Sequence, residues 1–186
     1  LKNGKITAES TGNVNASDVD MRFTRRLIID PSSVTTSANR GNGGDISIAG
    51  GQTMLLQDSQ ITTSVLGSLG NGGDISIHAD SLAMQSGFIQ ANTAGVGASG
   101  GNVNIDVRTL LPSGDSVLVG GSTPFVFQPG VSGPNVIQAA APTGVSGTIS
   151  ATAPTLDVAG RLSRLAGEVV DFAALAKDPC RIGATS

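Results

Sequence analysis

The chain has 186 residues, 26 of them glycine, with 13% charged residues and a net charge of −3. Five Phe are its only aromatics, which argues against the aromatic girdles of a membrane β-barrel and the stacking platforms of sugar and nucleic-acid sites. The weak acidic balance gives no pull toward nucleic acid or anionic lipid, and no apolar run is long enough to span a membrane as a helix.

The chain opens at Leu1, carries no signal peptide, and its repeat is already running by Gly12. It therefore reads as a piece of a longer protein whose export must be argued another way. The earliest copy of the repeat is Gly12-Asn13-Val14-Asn15-Ala16. Gly41-Asn42-Gly43-Gly44-Asp45-Ile46-Ser47-Ile48 follows and recurs identically at Gly70-Asn71-Gly72-Gly73-Asp74-Ile75-Ser76-Ile77. Gly100-Gly101-Asn102-Val103-Asn104-Ile105 comes next at nearly the same step, and Ser146-Gly147-Thr148-Ile149-Ser150-Ala151 is a degenerate later copy.

Two further segments repeat in step. Leu27-Ile28-Ile29 matches Met54-Leu55-Leu56 and Leu82-Ala83-Met84, while Val34-Thr35-Thr36 matches Ile61-Thr62-Thr63 and Ile89-Gln90-Ala91. Three short β-prone runs per repeat, alternating with period two and separated by Gly, Ser, Asp and Asn, mark strands with one buried face. Stacked, the repeats give one aliphatic column of Val14, Ile46, Ile75 and Val103 and another of Ile48, Ile77 and Ile105. A polar column of Asn15, Ser47, Ser76 and Asn104 lies between them. One repeat cannot bury its own apolar face, so stacking drives the fold. The gaps are too short for βαβ crossovers. The fold class is all-β: a right-handed, single-stranded parallel β-helix of 28- to 29-residue, three-strand coils. The glycines before each Ile-Ser-Ile run are expected to permit the corner conformations that close a coil.

Regular coils are expected over 1–107. From 108 to 146 the spacing breaks, and Leu110-Leu111-Pro112-Ser113-Gly114-Asp115 and Pro124-Phe125-Val126-Phe127 suggest one modified coil with an extruded loop or hairpin. A final strand region occupies 147–159. Over 160–186 the period changes. Leu162, Leu165, Val169 and Phe172 recur at helical spacing from about Gly160 to Ala176, and Asp178-Pro179 ends the run, as expected of a short amphipathic helix capping the last coil. Its other face holds Arg161, Arg164, Glu168, Asp171 and Lys177, mixed rather than basic, which disfavours a membrane-surface helix. All four stretches belong to one structural domain.

Candidate chemistry is sparse. Asp45 and Asp74 share a column flanked by Asn13 and Asn102, and Gly-Asn-Gly-Gly-Asp-Ile echoes the calcium-binding nonapeptide. That motif repeats every nine residues, however, and acidic density here is low, so two solvated turn carboxylates are the better reading. Paired carboxylates near Arg40 or Arg108 would suit a β-helical polysaccharide lyase or hydrolase, but no charged cluster recurs on one face. His78 has no second His, and Cys180 has neither Cys nor His nearby, so neither reads as a ligand or nucleophile. Arg25-Arg26 is expected in an irregular part of the first coil, and Asn42 and Asn71 as a stacked ladder. No catalytic, cofactor-binding or metal-ligating residue is expected, and no cofactor.

Gly-Asn-Gly-Gly-Asp-Ile-Ser-Ile, followed by an apolar run and a Ser/Thr-rich run, resembles the filamentous-haemagglutinin family of bacterial exoproteins, the secreted partners of two-partner secretion systems. Asn135-Val136-Ile137-Gln138-Ala139-Ala140-Ala141-Pro142-Thr143-Gly144-Val145-Ser146-Gly147 resembles the region near the C-terminal end of such proteins. So do Ala153-Pro154-Thr155-Leu156-Asp157, the Leu-rich segment and the lone Cys in Asp178-Pro179-Cys180. The resemblance covers nearly the whole chain. It implies export to the surface of a Gram-negative bacterium or its medium, through an outer-membrane transporter that recognises an N-terminal domain absent here. It also implies adhesion to host-cell or surface receptors or glycans, without nucleic-acid binding or membrane insertion. The reading is a rigid structural and adhesive segment with no enzymatic activity. A β-helical carbohydrate-active enzyme and a capping module without a partner are the alternatives.

Overall fold

A computed structural model describes residues 1–67 and 70–152. The expected capping helix, the polar residues of its outer face and Cys180 lie outside the described residues. So do the last residues of the final strand region.

The described residues form eleven strands, β1 to β11, all paired in parallel. They build a three-faced solenoid, the expected parallel β-helix. The first face stacks β2 (Val19–Phe23), β5 (Ile46–Gly50), the start of β7 (Ile75–Thr93), the start of β8 (Val103–Pro112) and β11 (Ile149–Ala151). The second stacks β3 (Arg26–Ile29), the start of β6 (Thr53–Val65), the middle of β7 and the end of β8. The third runs β1 (Lys5–Ser10), β4 (Ser33–Ala38), the end of β6, the end of β7, β10 (Asn135–Gln138) and β9 (Val117–Val119).

The core is built from inward columns, each repeating one side-chain type at the strand spacing of about 4.8 Å. Ile46, Ile75 and Val103 stack as expected, and Ile48, Ile77 and Ile105 beside them. The expected first member of the column is corrected. Val14 is 66% exposed and Val19 pairs with Ile46 instead. Gly12-Asn13-Val14-Asn15 copies the local motif but lies too early in the chain. A coil from Val14 to Ile46 would be longer than the one from Ile46 to Ile75, whereas a coil from Val19 to Ile46 fits the period. The polar column likewise contains Asp20 rather than Asn15.

The third face departs from simple aliphatic packing. Thr36 and Thr63 point inward, are fully buried, and donate across the coil to the carbonyls of Gly44 and Gly73, each at 2.5 Å. These bonds satisfy two buried hydroxyls and tie the third face to the start of the first.

The glycines at that start act differently from expectation. Gly44, Gly73, Gly101 and Gly147 form a column in which an added Cβ would meet the carbonyl of Ser17, Gly44, Gly73 or Gly101 in the coil before, well inside van der Waals contact. None of the four has a positive φ, so close approach of backbones, not conformational freedom, requires glycine. Gly70 alone of the repeat glycines follows the expectation, with φ of 117°; a left-handed corner also recurs between second and third faces, at Asn3, Asp58, Ser86 and Gly114 with φ of 49°, 41°, 52° and 71°.

The spacing break is also resolved. Residues 117–134 leave the regular coil as an exposed loop whose strand pairing is parallel rather than a hairpin. β9 pairs in parallel with β10, and β10 inserts between β9 and β7. The connection folds back over the outside of β7 as a strap. Phe127 packs edge-on against Phe88, with centroids 5.2 Å apart. Gly130 donates to both carboxylate oxygens of Asp58. Gln138 is fully buried beneath the strap; its Oε1 accepts from Phe125 N and Gln90 Nε2, and its Nε2 donates to the carbonyls of Gly120 and Thr123. Regular coil geometry therefore runs to Pro112, past the expected boundary at 107, and resumes at Asn135.

Ile75 is 1% exposed while Ser76, the next residue, faces solvent. Ile75→Asp buries an unpaired carboxylate and is expected to abolish the cooperative thermal transition. Ser76→Asp is expected to change stability by about 0.5 kcal/mol or less. Equal losses of melting temperature in the two variants would reverse the inward and outward assignments.

Candidate functional site

The densest array of functional side chains is the corner where the third face turns into the first. It is an open cleft lined by Asn15, Asp18, Asn42, Asp45, Asn71 and Asp74 with the backbone of Gly43, Gly72 and Gly73. Two ladders run along it. In one, Asn15 Oδ1 accepts from Asn42 N, Asn42 Oδ1 from Asn71 N, and Asn71 Oδ1 from Ser99 N, at 2.9 to 3.0 Å. In the other, Asp18 Oδ1 accepts from Asp45 N, Asp45 from Asp74 N, Asp74 from Asn102 N, and Asn102 from Thr148 N, at 2.7 to 3.0 Å.

The expected Asn42–Asn71 ladder is present, with backbone N–H groups as the donors. The carboxylate column contains Asn102 as expected, but its N-terminal neighbour is Asp18, not Asn13. The near-even steps from Asp18 to Asp45 and from Asp45 to Asp74 carried that signal. Each carboxylate satisfies a turn N–H that the next coil would otherwise leave to water, so the repulsion between neighbours is offset by charge-assisted hydrogen bonds. Among the described residues, no group of three or more His, Cys, Asp or Glu is arranged to hold a metal ion.

The other candidates are dispersed. His78 is exposed on the outer first face, with Nδ1 2.9 Å from Asp106 Oδ2. Thr152 Oγ1 donates to Asp106 Oδ1 at 2.7 Å. The Thr152 bond, and then the His78 bond, hold the Asp106 carboxyl below its ordinary value. This trio was missed in the sequence, because the insertion before β10 separates Asp106 from Thr152 by more than a regular coil. Arg108 lies 3.5 Å from Asp80 at the corner between first and second faces, away from the Asp45–Asp74 corner. Arg40 is exposed. Arg25 and Arg26 sit at the turn from β2 into β3, beside Arg22 and Phe23 around a shallow cleft. In the Thr152–Asp106–His78 trio the hydroxyl donates to the carboxylate and not to the imidazole, which differs from the nucleophile–base bond of covalent catalysis.

Comparison with protein-family models, with curated proteins and with solved structures finds no match to the chain.

If the ladder carboxylates serve as acceptors, Asp74→Asn is expected to keep stability within about 0.5 kcal/mol. Asp74→Ala should cost about 1 kcal/mol in chemical denaturation, because Asn102 N loses its acceptor. Millimolar calcium is expected to leave the melting temperature unchanged. Equal losses in the Asn and Ala variants, or a calcium-dependent rise, would assign the column to charge instead.

Asp106 gives an acid-limb prediction. Its folded-state pKa is lowered, so its contribution is present above the unfolded carboxylate value of about 4 and is lost as pH falls through the folded value. Protection of the Ile149–Ala151 amides relative to free peptide, anchored next to Thr152, should fall on that limb in the wild type. In Asp106→Asn that extra acid dependence should be missing, and an unchanged acid profile would detach Asp106 from the last coil.

Proposed function

We propose that this chain is a structural and adhesive segment of a secreted, surface-exposed bacterial exoprotein of the filamentous-haemagglutinin type. The observation that carries the reading is continuous coil-to-coil bonding at every level. Backbone pairing, the Asn and Asp ladders and the glycine column repeat from coil to coil, and the Asn and Asp side chains of the corner cleft bond the backbone of the next coil. Such stacking presents surfaces at a fixed coil-to-coil spacing, which suits a spacer that holds binding surfaces away from a cell. Quasi-one-dimensional repeat proteins use extended faces for recognition in this way. The Gly-Asn-Gly-Gly-Asp-Ile-Ser-Ile repeat and the Asn135–Gly147 motif support the family reading. Export through an outer-membrane two-partner transporter follows from that family, as does display at the surface of a Gram-negative bacterium.

The test is display of the full 186-residue chain on a non-adherent bacterium by fusion to an outer-membrane anchor. Adherence to cell monolayers is expected to exceed that of the anchor alone and to disappear after surface proteolysis. Adherence equal to the anchor alone would overturn the adhesive reading. Release of unsaturated oligosaccharides or new reducing ends from acidic polysaccharides would overturn the non-enzymatic one.

A further inference from the structure

The outer surfaces of the three faces differ in chemistry. Outward positions of the first face are polar or small in every coil: Asp20 and Arg22, Ser47 and Ala49, Ser76 and His78, Asn104 and Asp106. The second face departs from that rule. Its strands are apolar at three successive positions, and the outward one of the three is Ile28, Leu55, Ala83 and Leu111 in four consecutive coils. Ile28 is 36% and Leu111 47% exposed. A strand apolar on both sides is the pattern of a sheet covered on both sides, and a continuous apolar stripe rimmed by polar residues marks an interaction surface.

The rim indicates what covers it. Preceding the stripe residue by two are Arg26, Thr53, Ser81 and Thr109; following it by two are Asp30, Gln57, Gln85 and Ser113. Within this rim the first full coil carries opposite charges on its two edges, Arg26 and Asp30, and Lys2 lies one strand before Asp30 on the trailing edge. The side chains of Arg26 and Asp30 have no hydrogen-bond or ion-pair partner among the described residues.

We propose that this face is a self-association surface. A second copy of the chain packs on it about a two-fold axis parallel to the solenoid axis. That rotation lays each coil on its counterpart and each leading edge on the partner's trailing edge. Arg26 then meets the second copy's Asp30, and Asp30 its Arg26. Thr53 meets Gln57, Ser81 meets Gln85, Thr109 meets Ser113, and the four apolar residues close the centre. A two-fold along the strands would instead set Arg26 against Thr109 and leave both charges unpaired. The contact spans about four strand spacings by five residues, roughly 300 Å² per copy, against about 800 Å² per partner in a standard interface. Association is therefore weak for a single chain and grows with the number of coils.

Sedimentation equilibrium of the full chain, from micromolar to millimolar concentration, tests this. A monomer–dimer equilibrium is expected at the upper end. Leu55→Glu, an outward change that leaves the core intact by circular dichroism and melting temperature, should weaken it at least tenfold. Arg26→Asp and Asp30→Arg should each weaken it by roughly twofold to fivefold per lost pair, and the double exchange should restore it. In a Cys180→Ser background, Ala83→Cys chains should be joined by a short bismaleimide, because the axis passes through that column. A chain that stays monomeric at millimolar concentration, or a dimer indifferent to Leu55→Glu, overturns the surface and leaves the stripe to a different protein. Failure of the double exchange to restore association overturns the axis.

Discussion

Every feature of this molecule depends on coils approaching one another to a strand spacing at a corner where side chains have no room. The column of Gly44, Gly73, Gly101 and Gly147 supplies that approach, because each of these residues lies against the carbonyl of the coil before. Once the backbones are that close, Asn42 and Asn71 before these glycines, and Asp45, Asp74 and Asn102 just after them, are within reach of the next N–H. The inward Thr36 and Thr63 hydroxyls are within reach of glycine carbonyls. Register then follows. A slip by one residue would put Ser47 and Ser76 inside and Ile46 and Ile75 outside, and would break both ladders at once. Glycine here has a steric role, and the entropy it costs is recovered by several bonds per coil.

What could be read from the sequence was what repeats without interruption. The identical octapeptides fixed the first face, and the apolar triplets fixed the second, because a near-constant period leaves little freedom in pairing strands. Errors arose where local likeness and global period disagreed. Gly12-Asn13-Val14-Asn15 looks like a repeat, yet the carboxylate of Asp18 and the amide of Asn15 serve the next coil's N–H groups, and both lie past or at the end of that motif. Period outweighs resemblance because a whole coil must close before a motif can pair. The inward threonines were also illegible: Val34-Thr35-Thr36 shows alternation, but nothing in it says that a polar residue lies on the inner side.

The strap was illegible for a different reason. At the regular coil step Gly114 falls on Ser86, and it does adopt the left-handed corner conformation. The chain thus turns the corner as in earlier coils and enters β9, which by position would be the next strand on β7. Yet β10 occupies that edge, with Ile137 beside Ile89 after a far longer stretch of chain than one coil. Both segments are short and aliphatic, so local sequence does not choose between them. The choice rests on long-range polar contacts: Asn135 Oδ1 accepts from Gly87 N while its Nδ2 reaches the Ser113 carbonyl, and the Gln138 amide is fully used beneath the strap. β9 offers no side chain that can make these bonds.

That choice explains how an insertion survives inside a solenoid. The additional residues must leave and rejoin at one lattice position, and the entropy of closing such a loop rises only slowly with its length. The greater hazard is register, since an error there would propagate through all later coils. Asn135 and Gln138, with Val136 and Ile137 between them, lock β10 against β7 at both ends. Ala139 then supplies its carbonyl to Gly147 N, and Asn102 accepts from Thr148 N. The first face resumes with Ile149 directly on Val103. The polar residues buried at this site therefore act as a register device. Replacing them with apolar residues of similar size would keep the packing volume but remove the distinction between β9 and β10.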